Sequence, residues 1–341
     1  MYSSKNHDGP GWEHSMMFRE IRQQTDTVSK AFYSGRKSGE ELADLIKKSK
    51  LVYISGSGSS YHAGLIFQFL LMRCGIPSMC VRASEFESYL PVTPSTSGLV
   101  LFFSQSGEGY DILNALKVSR QRGLQSISIT NNSKSSLADG SDASVDIGVG
   151  EEKSIAATKT FTGEVMAAIG IYSQVSSKPL EKDVNILGKH IDNIVGRSKQ
   201  LESIAGNLPK RIVILGNGIL FPVALEGGLK FRETAEAETE SYPIREYLHG
   251  PIQTLNKEKS VVVLRGTNES GPQTLPKEIL SLAHGIYTIG SAGDDNIPID
   301  SVTFELSPIL YTIPLQLLAN IKAYFNGLDP DKPSNLRKVI N

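Results

Sequence analysis

Residues 99–108 read Leu-Val-Leu-Phe-Phe-Ser-Gln-Ser-Gly-Glu, and this succession decides the fold class. A short continuous apolar run is typical of a strand buried in a parallel sheet. A helical pattern begins near Asp111, so residues 104–108 form the turn between strand and helix. Such a turn offers backbone N–H groups to an anion. Because Ser104, Gln105 and Ser106 add uncharged donors, the turn predicts a bound phosphorylated small molecule rather than a nucleotide.

The same succession of strand, turn and helix occurs in both halves of the chain. Residues 51–54 are an apolar strand that ends in a turn of serines and glycines, and an apolar helix is expected over residues 63–72. Residues 212–215 end in a Gly-Asn-Gly turn, and residues 223–231 form the next apolar helical stretch. The halves are offset by roughly 160 residues, which is about the length of one domain.

Further apolar strands are expected at residues 126–129, 261–264 and 285–289. Short apolar strands that alternate with helices indicate parallel sheets covered on both faces. We therefore predict an α/β fold with two tandem, doubly wound parallel sheets flanked by helices. Ligands in such folds bind beyond the carboxyl ends of the strands.

The segment boundaries follow from changes in composition. The first residues are polar and contain glycine and proline, which is typical of a frayed end. We expect a flexible tail over 1–17, a first domain over 18–177 that opens with a helix from Phe18 to Phe32, a helical linker over 178–207, a second domain over 208–325 and a C-terminal tail over 326–341.

Composition excludes several classes of protein. The 341 residues carry a formal net charge of −1, so no basic field attracts nucleic acid or an anionic membrane. No apolar run has the length of a membrane span or resembles a signal peptide. The two cysteines, Cys74 and Cys80, exclude a disulfide framework and indicate a reducing, cytoplasmic location. We expect both to be ordinary core residues. No histidine or cysteine pair has the spacing of metal ligands, so we expect no metal.

The glycines after the first strand do not complete a nucleotide motif. Gly56 and Gly58 match the start of a dinucleotide fingerprint, but Tyr61 stands where the third glycine belongs. The acidic residue expected after the next strand is also missing, since this region carries Arg82, and the Walker sequence Gly-Lys-Ser/Thr is absent. The glycines could serve the tight turn alone. For Ser59 and Ser60 we favour binding of phosphate or sugar hydroxyls, and we expect no cofactor.

Several motifs together resemble the sugar isomerase (SIS) family, from about residue 18 to the C-terminus. They are Gly58-Ser59-Ser60-Tyr61-His62-Ala63-Gly64, Ala156-Ala157-Thr158-Lys159-Thr160-Phe161-Thr162, Ala224-Leu225-Glu226-Gly227-Gly228-Leu229-Lys230 and Glu246-Tyr247-Leu248-His249-Gly250-Pro251, in addition to residues 104–108. Within the family, the isomerase half of glucosamine-6-phosphate synthases is most similar. The resemblance implies two tandem SIS domains and a hexose or amino-sugar phosphate as ligand.

The resemblance leaves the reaction open. The synthases carry an N-terminal glutaminase domain whose catalytic cysteine follows the initiator methionine, whereas Tyr2 follows Met1 here. We therefore expect a glucosamine-6-phosphate deaminase, which would release fructose 6-phosphate and ammonia. The alternatives are another sugar-phosphate isomerase, a fructosamine-6-phosphate deglycase, or a regulator that senses sugar phosphates without catalysis.

Lys230 and Glu233 are the candidate catalytic pair. Their spacing places them on one face of a helix, where a carboxylate base beside a lysine suits proton abstraction next to a carbonyl or imine. The same spacing is found in surface ion pairs. The resemblance implies that Glu233 moves a proton between C1 and C2, while Lys230 assists at the oxygen of the intermediate.

Two further candidates rest on the resemblance. It implies that His249 helps to open the sugar ring in the site of a neighbouring subunit, and hence that the protein is a homodimer. It also implies that Lys338 takes part in ring opening, while the C-terminal tail closes over the site. The expected substrate-binding residues are Ser59, Ser60, Ser104, Gln105, Ser106, Gly109, Glu152, Ala156 and Ala157.

The sequence departs from the synthases at three positions. Gly109 stands in place of a threonine that contacts phosphate, Ala157 in place of a serine that contacts sugar hydroxyls, and Ser334 in place of an arginine. Losing one hydrogen bond costs about 1 kcal/mol. We therefore expect the reaction class to be retained while the exact sugar differs.

Overall fold

The computed structural model describes residues 11–90, 98–266, 275–276, 279 and 281–340. Within these residues the chain forms two five-stranded sheets with helices on their faces. Every strand pairing in both sheets is parallel. The prediction of an α/β fold with two parallel sheets is confirmed.

The first sheet has the strand order β2-β1-β3-β4-β5. Its strands are β1 (Leu51–Gly56), β2 (Ser78–Arg82), β3 (Gly98–Ser104), β4 (Gln125–Thr130) and β5 (Ala143–Asp146). The helices of this half are α1 (Met16–Lys48), α2 (Ser59–Arg73), α3 (Tyr110–Gln121), α4 (Ser136–Gly140) and α5 (Lys159–Ser176).

The second sheet has the order β10-β9-β8-β6-β7. Its strands are β6 (Arg211–Gly216), β7 (Glu238–Tyr242), β8 (Lys259–Arg265), β9 (Gly285–Gly290) and β10 (Ile297–Pro298). Helices α6 (Glu181–Gly196) and α7 (Glu202–Asn207) precede this sheet, and α8 (Phe221–Ala235), α9 (Ile244–Tyr247) and α10 (Ser307–Phe325) follow its strands.

The strand order reverses between β1 and β3. From β1 the chain moves outward to β2 and then returns to place β3 on the other side of β1. Ser55 pairs with Phe102, so the carboxyl ends of both strands lie at one edge of the sheet. The serine-rich turns at 57–60 and 104–108 therefore lie side by side.

Helix α1 is much longer than the predicted helix from Phe18 to Phe32. Its extension passes Gly35, where a Cβ atom would lie 1.9 Å from the carbonyl oxygen of Ala167. The glycine therefore permits close packing of α1 on α5 and does not end the helix.

The predicted flexible tail over 1–17 is too long. Trp12 is buried, and its Nε1 donates a hydrogen bond to Glu202 at 2.9 Å, while α1 begins at Met16. The chain is thus packed from Trp12 onward, and residues 1–10 of the predicted tail lie outside the described residues.

The two halves are joined by a continuous core. The predicted helical linker over 178–207 contains α6 and α7, with a short 3-10 helix between them at Ser198–Leu201. One cluster of buried apolar side chains includes Val52 of β1, Ile214 of β6 and Leu315 of α10. Both halves therefore contribute side chains to one apolar core.

Two further findings concern predictions from composition. In the described part of the chain, no helix combines the length and apolarity needed to cross a bilayer. Cys74 is exposed and Cys80 is half-buried, so the prediction that both are core residues is wrong for Cys74. Cys74 is the residue that follows the last turn of α2, and it lies outside the apolar face of that helix.

Candidate active site

A cavity of about 260 Å³ lies at the carboxyl ends of β1 and β3, where the strand order reverses. This is the position at which open parallel sheets bind ligands. Its walls come from the turn after β1, the end of β3 with the start of α3, the loop before α5, helix α8 and the C-terminal segment. The lining residues are, in that order, 57–60, 103–106 with 109–112, Glu152 with Ile155 and Ala157, Glu233, and 336–340.

The serines after β3 are held as hydrogen-bond donors toward this cavity. Ser104 Oγ accepts from the backbone N–H of Gly107 at 3.1 Å, and Ser106 Oγ accepts from that of Glu108 at 3.3 Å. Because both oxygens already accept a bond, their hydroxyl hydrogens can point to a ligand. Gly107 is required here, since its φ is +67° and a Cβ would lie 2.1 Å from Ser135 Oγ.

The carboxylate of Glu108 is turned away from the cavity. It accepts from the backbone N–H and the hydroxyl of Ser136 at 2.9 and 2.8 Å, at the start of α4. The first turns of α2 and α3 face the cavity instead, since Ser59, Ser60 and Tyr110 line it. The positive ends of two helix dipoles and uncharged donors make this wall suitable for an anion.

Buried charges lie behind the opposite wall. On α8, Lys230 Nζ lies 2.5 Å from Glu233 Oε2 and 3.3 Å from Glu226 Oε1. The side chains of Lys230 and Glu226 are 0% and 1% exposed, whereas that of Glu233 is 19% exposed and reaches the cavity. Glu226 also accepts from Ser59 at 2.9 Å and lies 2.8 Å from His62 Nδ1. The cluster thus joins α8 of the second half to α2 of the first.

Lys230 and Glu226 are both held in their charged forms. Burial disfavours the charged form of Lys230, but the carboxylates of Glu226 and Glu233 outweigh it and raise the pKa of the lysine. Burial also opposes the charge of Glu226, but Lys230 and His62 outweigh it and lower the pKa of this carboxyl. The cavity wall therefore presents a carboxylate, Glu233, whose position is fixed by a buried ammonium ion.

The C-terminal segment brings Lys338 to the cavity, beside the loop before α5. Its Nζ lies 3.2 Å from Glu152 Oε2 and donates to the carbonyl oxygen of Ser154 at 2.5 Å. Glu152 is buried and also accepts from the backbone N–H groups of Thr158 and Thr160 at 2.9 and 3.1 Å. Glu152 therefore holds the loop before α5 in shape and fixes Lys338 beside it.

Further hydrogen bonds attach this segment at Asp331 and at Ile340. Asp331 accepts from the backbone N–H groups of Met16 and Met17 at 2.6 and 2.7 Å, at the start of α1. The backbone N–H of Tyr110, in the first turn of α3, donates to the carbonyl oxygen of Ile340 at 3.2 Å. The segment is thereby stretched between the starts of two helices and passes over the cavity.

Comparison with known proteins identifies a domain of known family. Residues 45–168 match the SIS domain. The chain contains an SIS domain. The match spans β1–β5 with helices α2, α3 and α4, and it includes the serine-rich turns of the cavity.

Curated relatives share more of the chain. Over 97% of its length it is 33% identical to a protein of Pyrobaculum aerophilum and 34% identical to one of Sulfurisphaera tokodaii, both named glutamine–fructose-6-phosphate aminotransferase. The SIS-domain chain spans 58% and 57% of the length of these two relatives.

Solved structures show the same architecture. The C-terminal domain of glucosamine-fructose-6-phosphate aminotransferase from Francisella tularensis is 26% identical, with a TM-score of 0.79 over 94% of this chain and 98% of that one. Glucosamine-6-phosphate deaminase from Thermotoga maritima is also 26% identical, with a TM-score of 0.76 over 96% and 99% of the two chains.

The predicted site residues of this SIS-domain protein divide into three groups. Those that line the cavity are Ser59, Ser60, Ser104, Gln105, Ser106, Gly109, Glu152, Ala157, Glu233 and Lys338. Lys230 and Ala156 are fully buried and do not line it; Lys230 lies beneath Glu233, and Ala156 belongs to the apolar core. His249 is exposed on the loop after α9 and does not line it either.

The sequence analysis missed two carboxyl groups beside the site. Glu226 precedes Lys230 by one helical turn, and this spacing of opposite charges could have identified it. Glu164 Oε1 lies 2.8 Å from Ser60 Oγ although the two residues are 104 positions apart. Only the packing of α2 on α5 brings them together, and no local pattern predicts it. Within the described residues, no group of three or more histidines, cysteines or carboxylates could hold a metal ion.

Proposed function

We propose that this SIS-domain protein is an enzyme that isomerises and deaminates an amino-sugar phosphate, with glucosamine 6-phosphate as substrate and fructose 6-phosphate and ammonia as products. The observation that carries the proposal is the position of the Glu233 carboxylate. Its carboxylate is held by a buried lysine and faces a wall of uncharged donors across one cavity. The names of relatives and of the solved structures that match the whole chain support the same chemical class.

The donor wall is the proposed phosphate site. Ser104, Ser106 and the first turns of α2 and α3 offer hydroxyl and backbone N–H groups, and Glu108 is turned away. A phosphate at this wall leaves the other end of a hexose to reach toward Glu233. The substrate is then held by its phosphate, while C1 and C2 lie near the base.

Glu233 is the proposed base. In the ring-opened sugar it removes the proton from C2; the electron pair forms a C1=C2 double bond while the C1=O π bond breaks, and O1 takes up a proton from solvent to give an enolamine. Return of the first proton to C1, with loss of a proton from nitrogen, gives the imine of fructose 6-phosphate, which water hydrolyses to fructose 6-phosphate and ammonia. The base needs a free oxygen, and among the described residues Glu233 Oε1 has no hydrogen-bond partner, since Lys230 contacts Oε2.

Lys230 and Lys338 have separate proposed roles. The resemblance implied that Lys230 acts on the intermediate, but its burial beneath Glu233 favours a positioning role through Glu233 and Ser59. Lys338 lines the cavity and is proposed to assist ring opening. His249, exposed and outside the cavity of its own chain, is proposed to act in the site of a second copy.

The test is a product assay. Purified protein is incubated with glucosamine 6-phosphate, and the ammonia and fructose 6-phosphate formed are measured. We expect the two products in equal amounts. Interconversion of hexose phosphates without ammonia would favour an isomerase, and turnover of a sugar–amine adduct alone would favour a deglycase. Tight binding of several sugar phosphates with no turnover would identify a regulator instead.

The role of Glu233 has its own test. Glu233→Gln should lower kcat by at least about 100-fold while KM changes little, because the amide keeps the shape but is not a base. Glu236→Gln, an exposed acid one turn further on, is the matched control and should keep the wild-type rate. Equal rates in both variants would remove Glu233 as the base.

A further inference from the structure

Glu164 is a buried carboxyl group that the mechanism above does not use. It lies on α5, is 1% exposed and contacts Ser60 Oγ at 2.8 Å. Ser60 lines the cavity in the first turn of α2. A carboxyl group in this position controls the direction in which the Ser60 hydroxyl hydrogen points.

The direction matters because a hydroxyl group has only one hydrogen. If Glu164 is ionised, Ser60 must donate to it, and only lone pairs of the serine face the phosphate. If Glu164 is protonated, it donates to Ser60, and the serine hydrogen is free for the ligand. Ser104 and Ser106 already have this second arrangement, since both accept from backbone N–H groups.

The surroundings of Glu164 supply no positive partner. Glu152 is paired with Lys338, and Glu226 with Lys230. Among residues 11–90, 98–266 and 281–340, no lysine, arginine or histidine nitrogen lies within ion-pair distance of Glu164. Other buried titratable groups on α5 and on the helices packed against it bond to other partners; they are Glu20 on α1, His62 on α2, Lys159 on α5 and Lys322 on α10.

Burial raises the pKa of Glu164 well above its ordinary value. The hydrogen bond from Ser60 opposes this shift, whereas the negative charges of Glu152 and Glu226 add to it. The surroundings therefore favour the neutral form of Glu164, because the carboxyl group is buried, two carboxylates lie nearby and no cation lies beside it.

We propose that the protonated Glu164 carboxyl group donates a hydrogen bond to Ser60 and so turns the Ser60 hydroxyl into a donor for the phosphate of the substrate. Glu164 is then a positioning residue for phosphate binding. The inference rests on the proposed function, because it takes the ligand of the cavity to be a sugar phosphate.

The first experiment compares Glu164→Gln with Glu164→Leu. The amide of glutamine can also donate to Ser60, so the Gln variant should keep the wild-type KM for glucosamine 6-phosphate. Leucine cannot donate, and KM should rise about 5- to 10-fold, the equivalent of one hydrogen bond, with kcat nearly unchanged. A Gln variant as impaired as the Leu variant, or a Leu variant with normal KM, would overturn the proposal.

A double-mutant cycle with Ser60→Ala separates this role from a general packing role. In the Ser60→Ala background, Glu164→Leu should raise KM no further, because the hydroxyl that it orients is gone. An equal additional rise would show that Glu164 acts independently of Ser60 and would contradict the proposal. Thermal unfolding of each variant confirms that the compared proteins are folded.

Infrared spectroscopy detects directly whether the Glu164 carboxyl group is protonated. The infrared difference spectrum between wild-type protein and Glu164→Gln at pH 7 should contain the carbonyl-stretch band of a protonated carboxylic acid. A carboxylate band in its place would overturn the proposal. Failure of the proposed function can be told apart from failure of the Glu164 proposal. If glucosamine 6-phosphate is not turned over, the Kd of fructose 6-phosphate is measured in place of KM. The same comparison of the Glu164 variants then applies.

Discussion

At the scale of single residues, the site depends on how buried charges are paired. Three carboxyl groups near the cavity differ in their partners: Glu233 and Glu226 share Lys230, whereas Glu164 has only a hydroxyl group. Lys230 outweighs burial and favours the charged form of Glu226, whereas burial without a cation favours the neutral form of Glu164. Similar side chains are thus proposed to act as a base, a structural anion and a hydrogen-bond donor.

Loss of the Glu226 charge should destabilise the fold. Glu226→Gln leaves Lys230 with one carboxylate in place of two, and we expect the free energy of unfolding to fall by roughly 3 kcal/mol at pH 7. Urea unfolding measures this value. Glu258→Gln, which removes an exposed ion pair with Arg211, is the control and should change stability by less than about 1 kcal/mol.

The difference in stability between wild-type protein and Glu226→Gln should depend on pH, because the pKa of Glu226 is lowered in the folded state. Its stabilisation is fully present above about pH 4.5, the ordinary value, and is lost as the pH falls through the lower pKa of the folded state. The stability gap between wild-type protein and Glu226→Gln should therefore shrink below pH 4.5. A gap of constant size down to pH 3 would contradict the assigned ion pair.

The residues of the site were predictable to different degrees. Glu233 and Lys230 follow from a helical spacing, and the serine turns follow from their positions after apolar strands. The burial of Lys230 was not predictable, because it depends on α2 and α10 covering α8. Glu164 was not predictable for the same reason.

At the scale of elements, the packing of α1 on α5 fixes the first half of the molecule. Gly35 and Gly170 let the two backbones approach, since a Cβ at Gly170 would lie 2.2 Å from the carbonyl oxygen of Phe32. Residues of α5 and of the loop before it, among them Glu164 and Glu152, are thereby held at the cavity. The full length of α1 was not predictable, because its glycines resemble helix ends in the sequence.

A substitution at Gly35 tests this packing. Gly35→Ala would place a Cβ 1.9 Å from backbone atoms of α5, and we expect a loss of about 3 kcal/mol in the free energy of unfolding. Gly196→Ala, at the end of α6 with nothing within 4 Å of a Cβ, should be neutral or slightly stabilising. Denaturant unfolding that shows equal stability for both variants would refute the close approach.

Attachment of the C-terminal segment can be tested at Asp331. Asp331→Ala removes the acceptor of two backbone N–H groups at the start of α1. We expect KM for the sugar phosphate to rise about 5-fold, which corresponds to roughly 1 kcal/mol, and proteases to cut the segment faster. Lys332→Gln, exposed in the same segment, should behave as wild type. Unchanged proteolysis in Asp331→Ala would show that the segment is attached elsewhere.

At the scale of the whole molecule, the site belongs to both halves. The donor wall comes from the first sheet, and Glu233 comes from α8 of the second half. Both sheets and their parallel direction were predictable from the repeated apolar strands. Their mutual position was not, because it is set by the shared core and by the contact of Ser59 and His62 with Glu226.

The proposed role of His249 is a prediction about assembly. If His249 serves the site of a second copy, mixtures of His249→Ala and Glu233→Gln subunits should recover activity that neither variant has alone. The recovered rate should approach one quarter of the wild-type rate per subunit after random mixing, since only mixed dimers contain an intact site. No recovery, with dimers present by light scattering, would place His249 outside the reaction.

Glu233 is proposed to carry a proton between two neighbouring carbons of a bound sugar phosphate. The most direct measurement is deuterium incorporation: fructose 6-phosphate is incubated with the protein in D₂O and followed by NMR. We predict exchange at C1 with wild-type protein and none with Glu233→Gln. Binding of fructose 6-phosphate without any exchange at C1 in the wild-type protein would contradict the proposed proton transfer by Glu233.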